Sequence, residues 1–278
     1  MNRRSALRAG LMGAGVLAVG CTHHDPAPSP PAPDFTALET QLSGRLGVFA
    51  LDTGSGATVG HRADERFLMC STAKTLAVAA VLRQNERRPG LVDQVVRYGQ
   101  ADVLEWAPVT AKHVDTGMTV GALCDAAITV SDNTAANLLV GLLGGPPAVT
   151  EFARSLGDSI TSVDRLEPDL NVTSPGDRRD TSTPAQMAQN LRGLSLGDGQ
   201  HADARDRLVA LLKANTTGGQ CIRAGLPQNW VVGDKTGSGA QGESNDIAIV
   251  WPPGRPPLAI AVYTDPTTRI WLRSRRTA

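Results

Sequence analysis

Ser71 and Lys74, three positions apart, are the first residues in this chain whose types and spacing could do chemistry. A serine hydroxyl is a poor nucleophile at neutral pH and needs a base beside it. Lysine can be that base only if burial and neighbouring positive charge lower its pKa. Alone the pair says little, because a serine and a lysine at this spacing arise about once in a chain of this length. Two later tripeptides change the weighting: Ser131-Asp132-Asn133 and Lys235-Thr236-Gly237. Finding all three in this order by composition alone is a chance on the order of one in a thousand.

The elements that must hold these groups can be read from the apolar pattern. Apolar residues recur from Leu76 to Leu82, with a charged tail before Pro89-Gly90, which predicts a largely buried helix of about four turns. Ser71 then sits at its first turn and Lys74 one turn later, on one face. Unpaired N–H groups at that helix start would suit an oxyanion near the serine. Ser131-Asp132-Asn133 falls between helix-like runs, Val120 to Val130 and Thr134 to Leu143, and Lys235-Thr236-Gly237 ends the apolar run Trp230-Val231-Val232. Strand-like runs occur at Arg45 to Asp52 and Thr58 to Arg62, around the turn signal Gly54-Ser55-Gly56. Further strand runs lie at Trp230 to Thr236, Asp246 to Trp251 and Leu258 to Thr264, whereas Ser71 to Ala214 reads as helices and loops. The expected fold class is α/β, in the sense of an α+β sandwich. An antiparallel sheet built from both chain ends (35–66 and 214–278), with flanking helices, would carry an inserted all-helical domain (67–213). The site would lie in the cleft between the layers.

The first 20 residues read as an export signal rather than as fold. Arg3-Arg4 precedes the apolar run Leu11 to Gly20, resembling a twin-arginine signal. Leu17-Ala18-Val19-Gly20-Cys21 resembles a lipoprotein cleavage site, although Ala18 stands where Leu is usual, so simple cleavage nearby is an alternative. The run is too short to span a bilayer as a mature helix. Residues 21–34 carry five prolines and predict a semi-rigid tether. The expected location is therefore periplasmic or at the cell surface, with membrane attachment only through an acylated Cys21. Basic and acidic residues balance at 27 each over 278 residues. Without Arg3, Arg4 and Arg8 the mature chain is slightly acidic, so charge makes no case for a nucleic-acid partner. The five histidines lack metal-site spacing, and no cofactor is expected. Cys70, beside Ser71, reads as a small apolar packing residue because no base converges on it.

The three motifs together resemble the class A serine β-lactamases, relatives of the penicillin-binding proteins. The resemblance runs from about Phe35 to about Thr264 and is nearest the branch that hydrolyses oxyimino-cephalosporins. It implies acylation of Ser71 by a β-lactam, hydrolysis of the acyl-enzyme, and hence β-lactam resistance. The acylation base would be Lys74, or Glu167 acting through a water. Arg165 to Asp180 would fall in an Ω-loop (162–180) closed by an Arg165–Asp180 ion pair, with Glu167 and Asn171 holding the hydrolytic water. Ser131 would relay a proton to the leaving nitrogen, Lys235 would keep the field positive, and the Ser71 and Ser238 N–H groups would hold the carbonyl oxygen. Asn133 would bind the side-chain amide, Thr236 and Ser238 the substrate carboxylate, beside Gly237, with Trp106 at the mouth. The small residues Gly239 and Ala240 would leave room for an oxyimino group.

Some positions depart from the family pattern. Cys221 and Asn245 stand where many members carry a carboxylate-binding arginine, leaving Arg273, Arg275 and Arg276 as candidates. Half-cystine partners for Cys70 and Cys124 are missing, so buried free thiols are expected. Members continue into an apolar C-terminal helix, whereas residues 267–278 are short and basic, which would expose sheet surface. A monomer acting on small β-lactams is the expectation. A cell-wall DD-peptidase or transpeptidase shares the serine, lysine and Lys-Thr-Gly parts but lacks the Glu167 water. A non-catalytic lipoprotein of the same fold is the further alternative.

Overall fold

The computed structural model describes residues 34–266 apart from 173 and 175. The segments expected to be an export signal and most of a tether, with Cys21, and the arginines at 273, 275 and 276 lie outside the described residues. Seven α-helices and nine strands are present among those described. Five strands form an antiparallel sheet in the order β2-β1-β9-β8-β7. They are β1 (Gly44–Asp52), β2 (Thr58–His61), β7 (Val231–Ser238), β8 (Ser244–Trp251) and β9 (Leu258–Pro266). The two chain ends meet where β1 pairs with β9, Phe49 opposite Ala261. Gly54-Ser55-Gly56 does turn β1 into β2, with Leu51 opposite Thr58.

Period-2 alternation decides which sheet face is dry. Ala259, Ala261 and Tyr263 of β9 are buried, with Ile247 and Ile249 of β8, on the face that joins the helical core. Helices α6 (Pro184–Leu196) and α7 (Ala202–Lys213) pack on the sheet, α6 against β1, β8 and β9 and α7 against β7. On the opposite face Val232, Ala248 and Val250 form a second small core with Ile222, Trp230 and Leu258. Val48, Ile260 and Val262 there are only half-buried.

The centre of the helical layer is α2 (Lys74–Arg87), whose residues from Lys74 to Leu82 are all buried. A helix apolar on every side can be stable only when surrounded. It contacts α3 (Val120–Thr129), α4 (Asn133–Leu143), α5 (Pro146–Ser155) and α7. The helix start differs from the sequence expectation. Ser71 belongs to a 3-10 turn, Cys70–Ala73, and α2 proper begins at Lys74. The cause is Cys70, which adopts a left-handed backbone, φ 50°; this costs a non-glycine residue about 1–2 kcal/mol.

That conformation is held from three sides. The Met69 N–H donates to Asp180 O at 2.9 Å. The Asn245 amide donates to Leu68 O at 2.8 Å and Met69 O at 3.3 Å. The hydroxyls of Thr72 and Tyr263 meet at 3.0 Å. A two-stranded ribbon, β3 (Phe67–Leu68) with β6 (Thr181–Ser182), ties the approach to Ser71 to the end of the 162–180 loop. The free thiols expected from sequence are found: Cys70 and Cys124 are buried and Cys221 is half-buried. Burial pushes the Cys70 thiol well above its usual range, with the Glu243 carboxylate adding to the shift, which suits a packing residue.

Candidate active site

Four elements bring the groups named from sequence to one place. The turn before α2 supplies Ser71, and α2 itself supplies Lys74. The segment between α3 and α4 supplies Ser131 and Asn133, and β7, the outermost strand, supplies Lys235. Ser131 also has a left-handed backbone, φ 60°. The residue after it, Asp132, explains why the segment keeps that shape. Its fully buried carboxylate accepts from the N–H groups of Val109, Thr110 and Ala135 and from the Thr110 hydroxyl, at 2.8 to 3.0 Å. Asp132 therefore caps α4 and locks the neighbouring loop, leaving Ser131 and Asn133 to face the cleft.

The 162–180 loop has no helix or strand beyond a 3-10 turn, Asp169–Asn171. Asp180, 1% exposed, closes it. One carboxylate oxygen accepts the Asp164 and Arg165 N–H groups at 2.8 and 3.0 Å, and the other accepts Arg165 Nε at 2.6 Å. Asn137, which sequence reading passed over, completes the support. Its side chain donates to Glu167 O and accepts the Glu167 N–H, both at 2.9 Å. The available signal was position: Asn137 lies one turn beyond Asn133 on α4 and shares its face.

The Glu167 carboxylate consequently points into the cleft. Oε1 accepts from Ser71 Oγ at 3.3 Å and lies 3.0 Å from Lys74 Nζ. Oε2 takes a hydrogen bond from Asn171 Nδ2. Lys74 Nζ also donates to Ser131 O at 2.8 Å, Ser131 Oγ at 3.3 Å and Asn133 Oδ1 at 2.5 Å. Lys235 Nζ approaches Ser131 Oγ from the other side at 3.1 Å and donates to Thr236 O at 2.8 Å. One network thus runs Ser71–Glu167–Lys74–Ser131–Lys235. Burial lowers the Lys74 pKa, opposed by the adjacent Glu167 carboxylate. Burial, reinforced by Lys74, brings Lys235 down to about 7.

Gly237 lets β7 approach the serine. A Cβ there would fall 2.8 Å from Met69 O and 3.2 Å from Ser71 N, too close for any side chain. Beyond it Ser238 is exposed at the strand end. The Thr236 hydroxyl meets that of Thr217, a second residue not foreseen from sequence. Trp106 is 53% exposed, with its indole N–H on Val130 O and its carbonyl accepting the Asn133 N–H at 2.9 Å. Asn245 does not face the cleft: its side-chain Nδ2 is spent beneath the Ser71 turn, and its Oδ1 accepts the Thr264 N–H. The residue of β8 opposite Ser238 is Ser244.

A serine bonded to a buried carboxylate that is itself paired with a buried lysine, at the edge of an antiparallel sheet under a helical layer, defines an acyl-transferring serine hydrolase. The chain belongs to the beta-lactamase enzyme family, whose model matches residues 30–276. Beta-lactamase AST-1 of Nocardia asteroides is 58% identical over 232 residues, 84% of this chain and 75% of its own length. Beta-lactamase CTX-M-25 of Escherichia coli is 52% identical, covering 82% of this chain and 79% of its own. A class A beta-lactamase from Mycobacterium abscessus superposes with a TM-score of 0.84 at 56% identity, over 86% of this chain and 92% of that one.

Proposed function

We infer that the protein hydrolyses β-lactams through an acyl-enzyme on Ser71, the activity that confers resistance to them. The observation that carries this is the contact of Ser71 Oγ with Glu167 Oε1, next to the Lys74 ammonium. Lys74 donates to Ser131 and Asn133 and is paired with Glu167, an arrangement that suits a charged lysine. Glu167 is then the group placed to take the serine proton. As Oγ bonds to the lactam carbonyl carbon, negative charge develops on its oxygen, beside the N–H groups of Ser71 and Ser238. Collapse breaks the C–N bond, and Ser131 Oγ hands the nitrogen a proton, replenished through Lys74 from Glu167. In the second half Glu167, aligned by Asn171, deprotonates a water that attacks the ester and releases Ser71.

Lys235 holds positive charge beside Ser131, and with Thr236 and Ser238 supplies the subsite for the substrate carboxylate. The small Ala240, beside the end of β7, supports oxyimino-cephalosporins as good substrates, whereas the side-chain space at Gly239 is taken by Glu243. Nitrocefin turnover by the protein tests the activity. Sustained hydrolysis is expected, whereas a single stoichiometric burst would indicate a peptidase and no reaction a binding protein. Cefotaxime should be turned over well and imipenem poorly; equal rates would show that the pocket has been misread.

The charge on Lys235 gives the reaction an alkaline limit. As pH rises through about 7 the ammonium loses its proton, so hold on the carboxylate weakens and kcat/KM is expected to fall on that side. Lys235→Arg carries a charge that does not titrate in this range, and should move the limb upward even if the plateau drops. An unchanged limb in that variant would assign the titration to another group.

A further inference from the structure

The turn between β7 and β8 contains a glutamate outside the set of reacting groups. Glu243 is 3% exposed, unusual for a carboxylate in a hairpin turn. Its Oε2 accepts the Gln241 N–H at 2.9 Å, and its backbone carbonyl accepts the Gly239 N–H at 3.1 Å. Oε1 is buried and has no hydrogen-bond partner. The carboxylate fills the space where a side chain at position 239 would be, since a Cβ on Gly239 would fall 2.2 Å from Oε2. It thus occupies, from within the turn, the place of the missing side chain at 239, near enough to Cys70 to raise its thiol's pKa.

What this turn supports matters for the reaction. The Ala240 N–H, inside the stretch that Glu243 fastens, donates to Asn171 O at 3.2 Å. Asn171 in turn donates through Nδ2 to Glu167 Oε2. A continuous path therefore leads from the buried carboxylate, through the turn and Asn171, to the group assigned to activating water. The other supports of Glu167, Asn137 and Lys74, reach it from the helical layer instead. The turn is the sheet's own hold on that residue.

We propose that Glu243 is a positioning residue for deacylation, holding the β7–β8 turn so that Ala240 fixes Asn171 and Asn171 aligns Glu167. The proposal rests on the role given to Glu167 above. Losing Glu243 should slow hydrolysis of the acyl-enzyme far more than its formation, because in acylation Lys74, which stays beside Ser131 and Glu167, can take the serine proton when Glu167 is misaligned.

The test is single-turnover kinetics with benzylpenicillin, acylation and deacylation measured separately by quenched-flow mass spectrometry. Glu243→Ala is expected to slow deacylation about tenfold, the scale of one lost hydrogen bond, and acylation less than about twofold. Glu243→Gln, which keeps an oxygen acceptor for the Gln241 N–H, should restore most of the rate. Gly239→Ala provides a second variant if Glu243→Ala does not fold: its methyl displaces the carboxylate without removing it, and the same selective slowing is expected. Unchanged deacylation in these variants, or both steps slowing in proportion, would overturn the proposal. Glu167→Ala run alongside separates the two assignments. If it turns over normally, the Glu167 reading fails; if it traps the acyl-enzyme while Glu243 variants deacylate normally, only the Glu243 role fails.

Discussion

Glu167→Ala mixed with a penicillin is expected to stop as a covalent adduct on Ser71, visible as a mass increase of the intact protein. Glu167 Oε1 faces Ser71 Oγ and Oε2 faces Asn171, so no other carboxylate in the network can take a proton from an incoming water. Loss of a positioned general base commonly costs 10²–10⁴-fold, and steady-state kcat should fall by about that factor. Acylation should survive better, because Lys74 remains next to Ser131 and is relieved of its ion partner. Freed of that partner, the buried lysine becomes easier to deprotonate and can take over the serine proton. Ser71→Ala should abolish the adduct and turnover together. Ordinary turnover by Glu167→Ala with no adduct would remove Glu167 from the mechanism.

The second large effect is on stability. Asp180 is buried, has a left-handed backbone and anchors both sides of the cleft. Its carboxylate holds Asp164 and Arg165 at the start of the loop, while its carbonyl takes the Met69 N–H two residues before Ser71. Asp180→Ala leaves the Arg165 guanidinium without its partner and two N–H groups without an acceptor. Breaking a buried pair from one side typically costs about 3–5 kcal/mol, and for a chain of this size each kcal/mol lowers Tm by roughly 2–4 °C. A fall of about 10 °C is therefore expected in calorimetry, with faster amide exchange at Asp164 and Arg165. A double variant with Arg165→Ala should cost less than the sum of the two single changes, since both remove the same contact. A Tm within about 2 °C of the parent would show that the loop does not depend on this residue.

Much of this was legible in the chain. The buried helix behind Lys74 showed in its continuous apolar and alanine-rich run, and β7, β8 and β9 showed as apolar runs between turns. What escaped was set by backbone conformation or by long-range partners. Nothing in a cysteine or a serine announces a left-handed backbone, so the 3-10 turn at Cys70 and the bend at Ser131 could not be read. The two-residue strands β3 and β6 are too short for any periodicity, yet their pairing joins Ser71 to the end of the loop. Asn137 resembles an ordinary polar position on an amphipathic helix until Glu167, 30 residues later, is brought against it. Asn245 was weighed as a missing arginine, whereas strand alternation turns its side chain beneath the serine. Glu243 gives no signal in the sequence, because its burial depends on the space that Gly239 leaves free.

The two margins of the sheet bear on how readily another chain could extend it. An outermost strand is a template on which another chain could continue the sheet. At one margin β2 has only four residues, and beyond it Arg62 bonds to Glu39 and Glu65, a short charged border that discourages propagation. The margin at β7 is guarded differently. Asp234 and Lys235 are fully buried, and Ser131 stands over the strand at Lys235, so the middle of its margin is covered. Val231 at its start and Ser238 at its end are exposed, and Thr236 is half-buried. The same overhang that assembles the chemistry thus also covers the middle of the sheet's margin.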